Sequence, residues 1–327
     1  MLKNTNIIGS SKVMKFLVLG AGAIGSVFGG FLAKAGHDVF LVGRKPHIQA
    51  INEKGLLIDG IWGTYTVKNL KGYTCIEELA EKCKETFDIA LLTVKSYDTE
   101  TMLKELKKYF PDPPPVVSLQ NGLGNIEKIE AYLGKEKTIG GRVIFGVEFI
   151  KPGHVRITVS ADRTVIGGLK RGIERSFVEK VASVFTNAGI PADVTDDISR
   201  FLWGKVLYNC ALNGLATLMN VNYGKLLSCN GTKEIMGNVI EEIFNVARAK
   251  NVSLDWKSPE DYKKLLFEEL IPKTFEHHPS MLQDIRRGKK TEIDALNGAV
   301  VKMGEEIGTE LPFNWTITQL IKSKEMV

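Results

Sequence analysis

Short apolar runs alternate with longer amphipathic stretches through roughly the first 195 residues, and beyond that point the short runs nearly vanish. Lys15-Phe16-Leu17-Val18-Leu19 has the length and composition of a buried parallel strand. It runs into Gly20-Ala21-Gly22-Ala23-Ile24-Gly25. The apolar residues from Ser26 to Ala35 predict a packed helix, Gly36 ends it, and a second strand is predicted over 38–42. A strand, helix and strand in about 30 residues is the size of one βαβ unit. Further strands are predicted over 87–94 and 116–119, with helices over 97–109 and 125–133. The glycines and alternation in 55–67 (GLLIDGIWGTYTV) predict an inserted hairpin. Segments 138–150, 154–159 and 164–168 read as strands extending or flanking the sheet. A helix over 173–188 and a turn at Gly189-Ile190-Pro191 close this half, and Pro111-Asp112-Pro113-Pro114-Pro115 is a stiff connection.

Helical periodicity then dominates, over 197–219, 232–250, 260–271, 291–307 and 313–323. Alternating β and α elements followed by helices alone predict an α/β fold in two parts: an N-terminal Rossmann-like doubly wound domain over 14–195 and an all-helical C-terminal domain over 196–327. Residues 1–13 read as a flexible N-terminal extension, with Met14 a candidate alternative start.

Composition narrows the class. Hydrophobic residues at 44% and charged residues at 25% exclude wholesale disorder and collagen-like structure. Lys and Arg total 43 against 38 Asp and Glu, and the resulting +5 is spread thinly. That suits an anionic small ligand and argues against nucleic acid, which calls for a concentrated basic patch. No apolar stretch approaches about 18 residues, so no membrane span is expected. The start carries no signal-peptide core. Cys75, Cys83, Cys210 and Cys229 form no CxxC pair and share no metal spacing with the five histidines. Reduced thiols in a cytoplasmic protein without a bound metal are expected.

The glycine run carries the first chemistry. GxGxxG is weak alone, but here it follows a strand and opens a helix. Gly20 permits the tight turn, Gly22 lets the backbone approach a pyrophosphate, and Gly25 lets helix and strand pack closely. The N–H groups of the helix start, from Ala23, Ile24 and Gly25, then face phosphate. After the second strand comes Val42-Gly43-Arg44-Lys45, with no carboxylate to accept from a ribose 2′-hydroxyl. A guanidinium matches a 2′-phosphate, so NADPH is the expected cofactor, read by Arg44 with help from Lys45. Ligands of open α/β sheets bind beyond the carboxyl ends of the strands. Lys95 and Asn121 fall at that edge, against the alternatives of a surface lysine and a turn-forming Asn-Gly.

The helical half holds an anomaly. Segment 201–219 (FLWGKVLYNCALNGLATLM) is apolar almost all round, so it should be largely buried. Lys205, Asn209 and Asn213 interrupt it at spacing i, i+4, i+8 and form one narrow stripe. Such groups on an apolar helix require a polar ligand or a satisfied internal network. A second polar cluster runs from Ser280 through Asp284 and Arg286 to Asp294. There Thr291 reads as a helix cap with Asp294 in the capping-box place, and Glu292 as a first-turn carboxylate.

Taken in order, GAGAIG, VGR, TVKS, QNGLG, WGKVLYNCALN, SMLQDIRRGKKTEIDALNG and ELPFNWT resemble the ketopantoate reductase (2-dehydropantoate 2-reductase) family over essentially the whole chain after Met14. The resemblance implies NADPH-dependent reduction of ketopantoate to pantoate, on the route to pantothenate and coenzyme A. By position it makes Lys205 the catalytic lysine and Glu292 the acid near the substrate hydroxyl and the cofactor. It makes Asn209 and Asn213 substrate amides, and Ser280 the hydroxyl beside the substrate carboxylate. Asn121 and Lys95 become cofactor-side residues at the cleft, Asn121 within reach of substrate as well, and Arg44 the 2′-phosphate reader. The chain departs from the family pattern at His277, where an asparagine is usual, and in Asn220-Val221-Asn222-Tyr223-Gly224, which carries one extra residue and makes Asn222 only a candidate match. A reductase of another branched 2-oxo acid and a non-catalytic NADP-sensing module are the rival readings. The expected partner is a small 2-oxo acid, and self-association as a homodimer stays open without a residue to carry it.

Overall fold

The computed structural model describes residues 12–168 and 172–327. Most of the expected extension, residues 1–11, lies outside the described residues; Lys12 and Val13 are exposed and without regular structure. Twelve strands are present among the described residues: β1 (Lys15–Leu19), β2 (Asp38–Val42), β3 (Leu56–Gly60), β4 (Tyr65–Val67), β5 (Leu70–Tyr73), β6 (Ile89–Leu92), β7 (Val116–Ser118), β8 (Thr138–Arg142), β9 (Phe145–Lys151), β10 (His154–Ser160), β11 (Thr164–Gly168) and β12 (Ala192–Val194). Eight of them form one sheet in the order β12-β11-β8-β7-β6-β1-β2-β5. Its pairs are parallel except β11 against β8.

β1 shows why a continuous apolar run is needed here. Phe16 and Val18 join one core, shared with the Ala23–Lys34 helix, while Leu17 and Leu19 join a second core on the opposite face. Both faces of the strand are covered, as in a doubly wound sheet. The chain runs outward from β1 to β2 and β5, then returns to place β6, β7 and β8 on the other side. That reversal opens a crevice beyond the carboxyl ends of β1 and β6.

The inserted hairpin is present as β3 and β4, but it does not border the main sheet. It pairs with β10 and β9 in a separate four-stranded sheet, β4-β3-β10-β9. Of the strands expected over 138–159, β8 and β11 extend the main sheet, whereas β9 and β10 leave it. Apolar side chains of the small sheet account for the departure: Phe145 of β9 packs on Phe28, and Trp62 of the β3–β4 turn packs on Phe31, over the outer face of the Ala23–Lys34 helix. Short elements escaped the reading of the pattern, among them the helices Lys45–Lys54, Ile76–Lys82 and Ser280–Arg286 and the strands β5 and β12.

From Ile198 the chain is helical. The helix Ile198–Met219 is the central member, packed by Asn230–Ala249, Ser280–Arg286 and Pro312–Met326 around one apolar core. The helix expected over 291–307 is a correction. A short 3₁₀ turn, Ile293–Ala295, comes first, and the α-helix runs only over Asn297–Glu306. The Thr291–Asp294 capping box is not what stabilises this start. The Thr291 hydroxyl and N–H both donate to Glu325 Oε1 (2.5 and 2.7 Å), and the hydroxyl oxygen accepts from Ile293 N. The Ala295 carbonyl is diverted to Leu123 N at 2.9 Å. Among the described residues no helix is long and apolar enough to cross a membrane.

Candidate active site between the sheet and the helices

The glycine turn fits a dinucleotide by shape. Gly20 has φ +110°, and a Cβ there would lie 2.5 Å from Val94 N; one on Gly25 would lie 2.3 Å from Gly20 O. Both positions are closed to any side chain. Gly22 differs: the nearest atom to an added Cβ is Gly20 O at 4.0 Å, so space above it is open for a ligand group. Gly22 also starts the Ala23–Lys34 helix with no side chain capping it. The first N–H groups of that helix, at Ala23, Ile24 and Gly25, have no partner within the helix and suit a pyrophosphate. Thr93 at the end of β6 ties the turn down, its hydroxyl donating to Gly20 O at 2.6 Å.

Arg44 stands exposed just past β2, where it opens the Lys45–Lys54 helix. A second cation approaches it from the helical half. Lys289 is half-buried, and its amine is held below the usual lysine range by burial, then by Arg44 and Arg287, with Asp284 opposing. Lys290 of the same loop lies 5.3 Å from the Tyr97 ring centre.

Lys95 does not stand free at the sheet edge. Its amine bridges Asp284 Oδ2 at 2.8 Å and Glu292 Oε2 at 3.0 Å. Glu292 Oε1 accepts from Ser96 N at 3.1 Å. Burial opposes the charge on Lys95, but Glu292 and Asp284 outweigh it, and the proton affinity is raised above the ordinary lysine value. The pairing stitches the end of β6 to the helical half.

Lys205 sits on the middle of the Ile198–Met219 helix and reaches across to the sheet. Its amine donates to Asn121 Oδ1 and to Val143 O, both at 2.6 Å. Burial, then the Arg142 guanidinium, lowers its pKa to about 8, while Glu292 pulls the other way. An amine tuned towards neutrality, with two acceptors at a cleft, can donate a proton to a ligand oxygen and stabilise charge on it.

The stripe beyond Lys205 is buried as its spacing required, with Asn209 and Asn213 at 8% and 4% exposure. Asn213 is already engaged, its Oδ1 accepting from the Tyr223 hydroxyl at 2.5 Å. Asn209 makes no side-chain hydrogen bond among the described residues. Ser280 is the first residue of its helix and is exposed; it shares no hydrogen bond with the lysine or the asparagines. Asn222 is an N-cap, accepting from Lys225 N and donating to Glu276. The structure thus joins Lys205 to Asn121 and Lys95 to Glu292, and leaves Ser280 apart. Asp284, Lys289, Val143 O and the Tyr223–His277 ring pair were missed as site groups. Asp284 lay within the quoted polar cluster, but a backbone carbonyl leaves no side-chain signal.

A glycine turn at the crevice of a parallel sheet, with an amine from a helical partner bonded at the turn after β7, is the arrangement of an oxidoreductase with a Rossmann-like dinucleotide-binding fold. The chain belongs to the ketopantoate reductase family: residues 16–171 match the profile described as ketopantoate reductase PanE/ApbA, and residues 197–325 match its C-terminal counterpart. It is 44% identical to the 2-dehydropantoate 2-reductase of Aquifex aeolicus (strain VF5), over 96% of this chain and 98% of that one. It is 39% identical to the enzyme of the same name from Pyrococcus abyssi, over 95% and 98%. Among solved structures it resembles a PanE/ApbA family ketopantoate reductase from Ralstonia eutropha JMP134 with a TM-score of 0.84, at 32% identity and over 95% and 98% of the two chains. It also resembles D-mandelate dehydrogenase bound to NADH and anilino(oxo)acetate, with a TM-score of 0.84 at 26% identity over the same shares.

Proposed function

We propose that this protein reduces 2-dehydropantoate to pantoate with NADPH, supplying the precursor of pantothenate and coenzyme A. The observation that carries the reading is the Lys205 amine, drawn at 2.6 Å to Asn121 beyond β7 and to Val143 beyond β8. The names of the curated relatives supply the substrate. When bound, the reduced nicotinamide supplies a hydride to the carbonyl carbon of the 2-oxo acid. A proton must reach the carbonyl oxygen, and Lys205 donates it as the ammonium, whose charge also stabilises the growing oxyanion. Asn209, Asn213 and Ser280 hold the substrate, and Glu292 receives the new hydroxyl. Ser280 comes into reach as the two domains, 14–195 and 196–327, close and exclude water.

The glycine turn through Gly20, Gly22, Ala23, Ile24 and Gly25 receives the pyrophosphate, and Asn121 and Lys95 border the cofactor. Arg44 favours NADPH because nothing acidic follows β2 to accept from a 2′-hydroxyl. Four unpaired cysteines suit a reducing cytoplasm. The NADH-bound mandelate dehydrogenase favours a second reading, in which a different 2-oxo acid is reduced with NADH. Oxidation of NADPH and of NADH by purified protein, measured with 2-dehydropantoate beside aromatic and branched 2-oxo acids, separates the two. The first reading requires 2-dehydropantoate with NADPH to give the highest kcat/KM of the panel.

A further inference from the structure

Arg142 ends β8 and lies close to Lys205 without belonging to its helix. Its side chain is 8% exposed, and Nη2 donates to Asp162 Oδ2 at 2.9 Å and to Arg163 O at 3.3 Å. The guanidinium carbon is 5.2 Å from the ring centre of Phe201, which precedes Lys205 by one turn on the same helix. Nε is buried and has no hydrogen-bond partner among the described residues. The next residue, Val143, presents the carbonyl that accepts from Lys205. One strand end therefore carries both an acceptor for the amine and a buried cation beside it.

A buried guanidinium with an unpaired N–H is unfavourable, and bringing it near a second, half-buried cation is more so. A neutral residue would serve the sheet better if packing were the only demand. We propose that Arg142 is a positioning residue for Lys205: anchored by Asp162 and stacked on Phe201, it fixes the strand end that holds the amine and sets a like charge next to it. This rests on the reading of Lys205 as the proton donor. The charged groups that act on the Lys205 amine are Arg142 from β8 and Glu292 from the segment before Asn297–Glu306. Behind them stand Asp162 on Arg142, Lys95 on Glu292, and Asp284 on Lys95; Arg200 lies 5.8 Å from the Phe201 ring centre. Arg142 disfavours the ammonium and so keeps the proton available for transfer.

The test compares full-length Arg142→Gln and Arg142→Lys with the parent chain. The rate at which acetic anhydride modifies Lys205, followed by mass spectrometry across pH, reports the proton affinity of that amine without any turnover. The pH profile of kcat with NADPH and 2-dehydropantoate supplies the second readout. Arg142→Gln should raise the Lys205 titration midpoint by about 0.5–1 pH unit and lower kcat about 3- to 30-fold. Arg142→Lys should return the midpoint to its original place but leave kcat depressed, since the planar fork and its stack are lost. A midpoint unmoved in Arg142→Gln overturns the proposal. Should Arg142→Gln fail to fold, Phe201→Leu removes the stack and leaves the cation: a lowered kcat supports the role, and an unchanged kcat refutes it. Titration of Lys205 does not depend on which substrate is reduced. Absence of turnover with 2-dehydropantoate would therefore strike the functional reading and not this one.

Discussion

The Nζ of Lys205 and the Oδ1 of Asn121 are 2.6 Å apart, joining the middle of a buried helix to the turn that follows β7. Neither residue reaches that point from its own half alone. The glycine-rich turn at Gly122 lets the chain pass close to the helical half: an added Cβ there would lie 2.3 Å from Ala295 O. Leu123 N then bonds that same carbonyl at 2.9 Å. The amine is thus held beside a seam in which backbone of the two halves lies in direct contact.

Replacing Lys205 by Ala should lower kcat about 10²- to 10⁴-fold, the range for loss of a general acid. Because the amine is not part of the glycine turn, NADPH affinity measured by fluorescence titration should change little. Near-normal turnover would remove Lys205 from the mechanism.

The pH dependence follows from the same group. Lys205 has its pKa lowered to about 8 by burial and then by Arg142. The competent form is the ammonium, which is present below that value and lost above it. In the free enzyme kcat/KM for the 2-oxo acid should therefore be level near neutrality and fall as pH rises through about 8. In Lys205→Ala the residual activity should lack this alkaline limb. A limb that persists belongs to another group.

Arg44→Ala should weaken NADPH binding about 10- to 100-fold while NADH changes less than about threefold, since a charge-assisted contact to the 2′-phosphate is lost. Lys289→Ala should act in the same direction and more weakly. Isothermal titration with the two cofactors checks both variants. Equal losses for NADPH and NADH would mean that the 2′-phosphate is read elsewhere.

Lys95→Met should destabilise the protein by about 1–3 kcal/mol in urea unfolding, because Glu292 and Asp284, each 8% exposed, lose their cation. Lys95→Met combined with Glu292→Gln should be less damaging than the sum of the two single changes. Additive losses would show that the pair does not hold the two halves together.

What could be read from the residue pattern is what repeats locally. The strand into the glycine turn, the βαβ unit and the Lys205, Asn209, Asn213 stripe each arise within a few turns of chain, and periodicity records them. Pairings over long separations leave no such trace. Nothing near Glu292 announces that Lys95 and Ser96, 197 and 196 positions away, take both of its oxygens. The local reading made it a helix-capping carboxylate instead. Asn213 was correctly placed on a buried face, yet its Tyr223 partner was invisible because the intervening residues turn back outside any regular repeat. Strands as short as β5 and β12 carry too few residues to show a period.

The small sheet has a consequence for biosynthesis. β3 lies parallel to β10, and Arg156 grips Asp59 across 97 positions. Contacts so far apart along the chain close late, because the loop entropy is lost before any contact rewards it. Until Phe145 and then Phe185 have left the ribosome, Phe28 lacks the two rings that pack on it in the finished protein. A chain halted before that point would leave this aromatic surface uncovered, the kind of transiently exposed apolar patch through which partly made proteins aggregate.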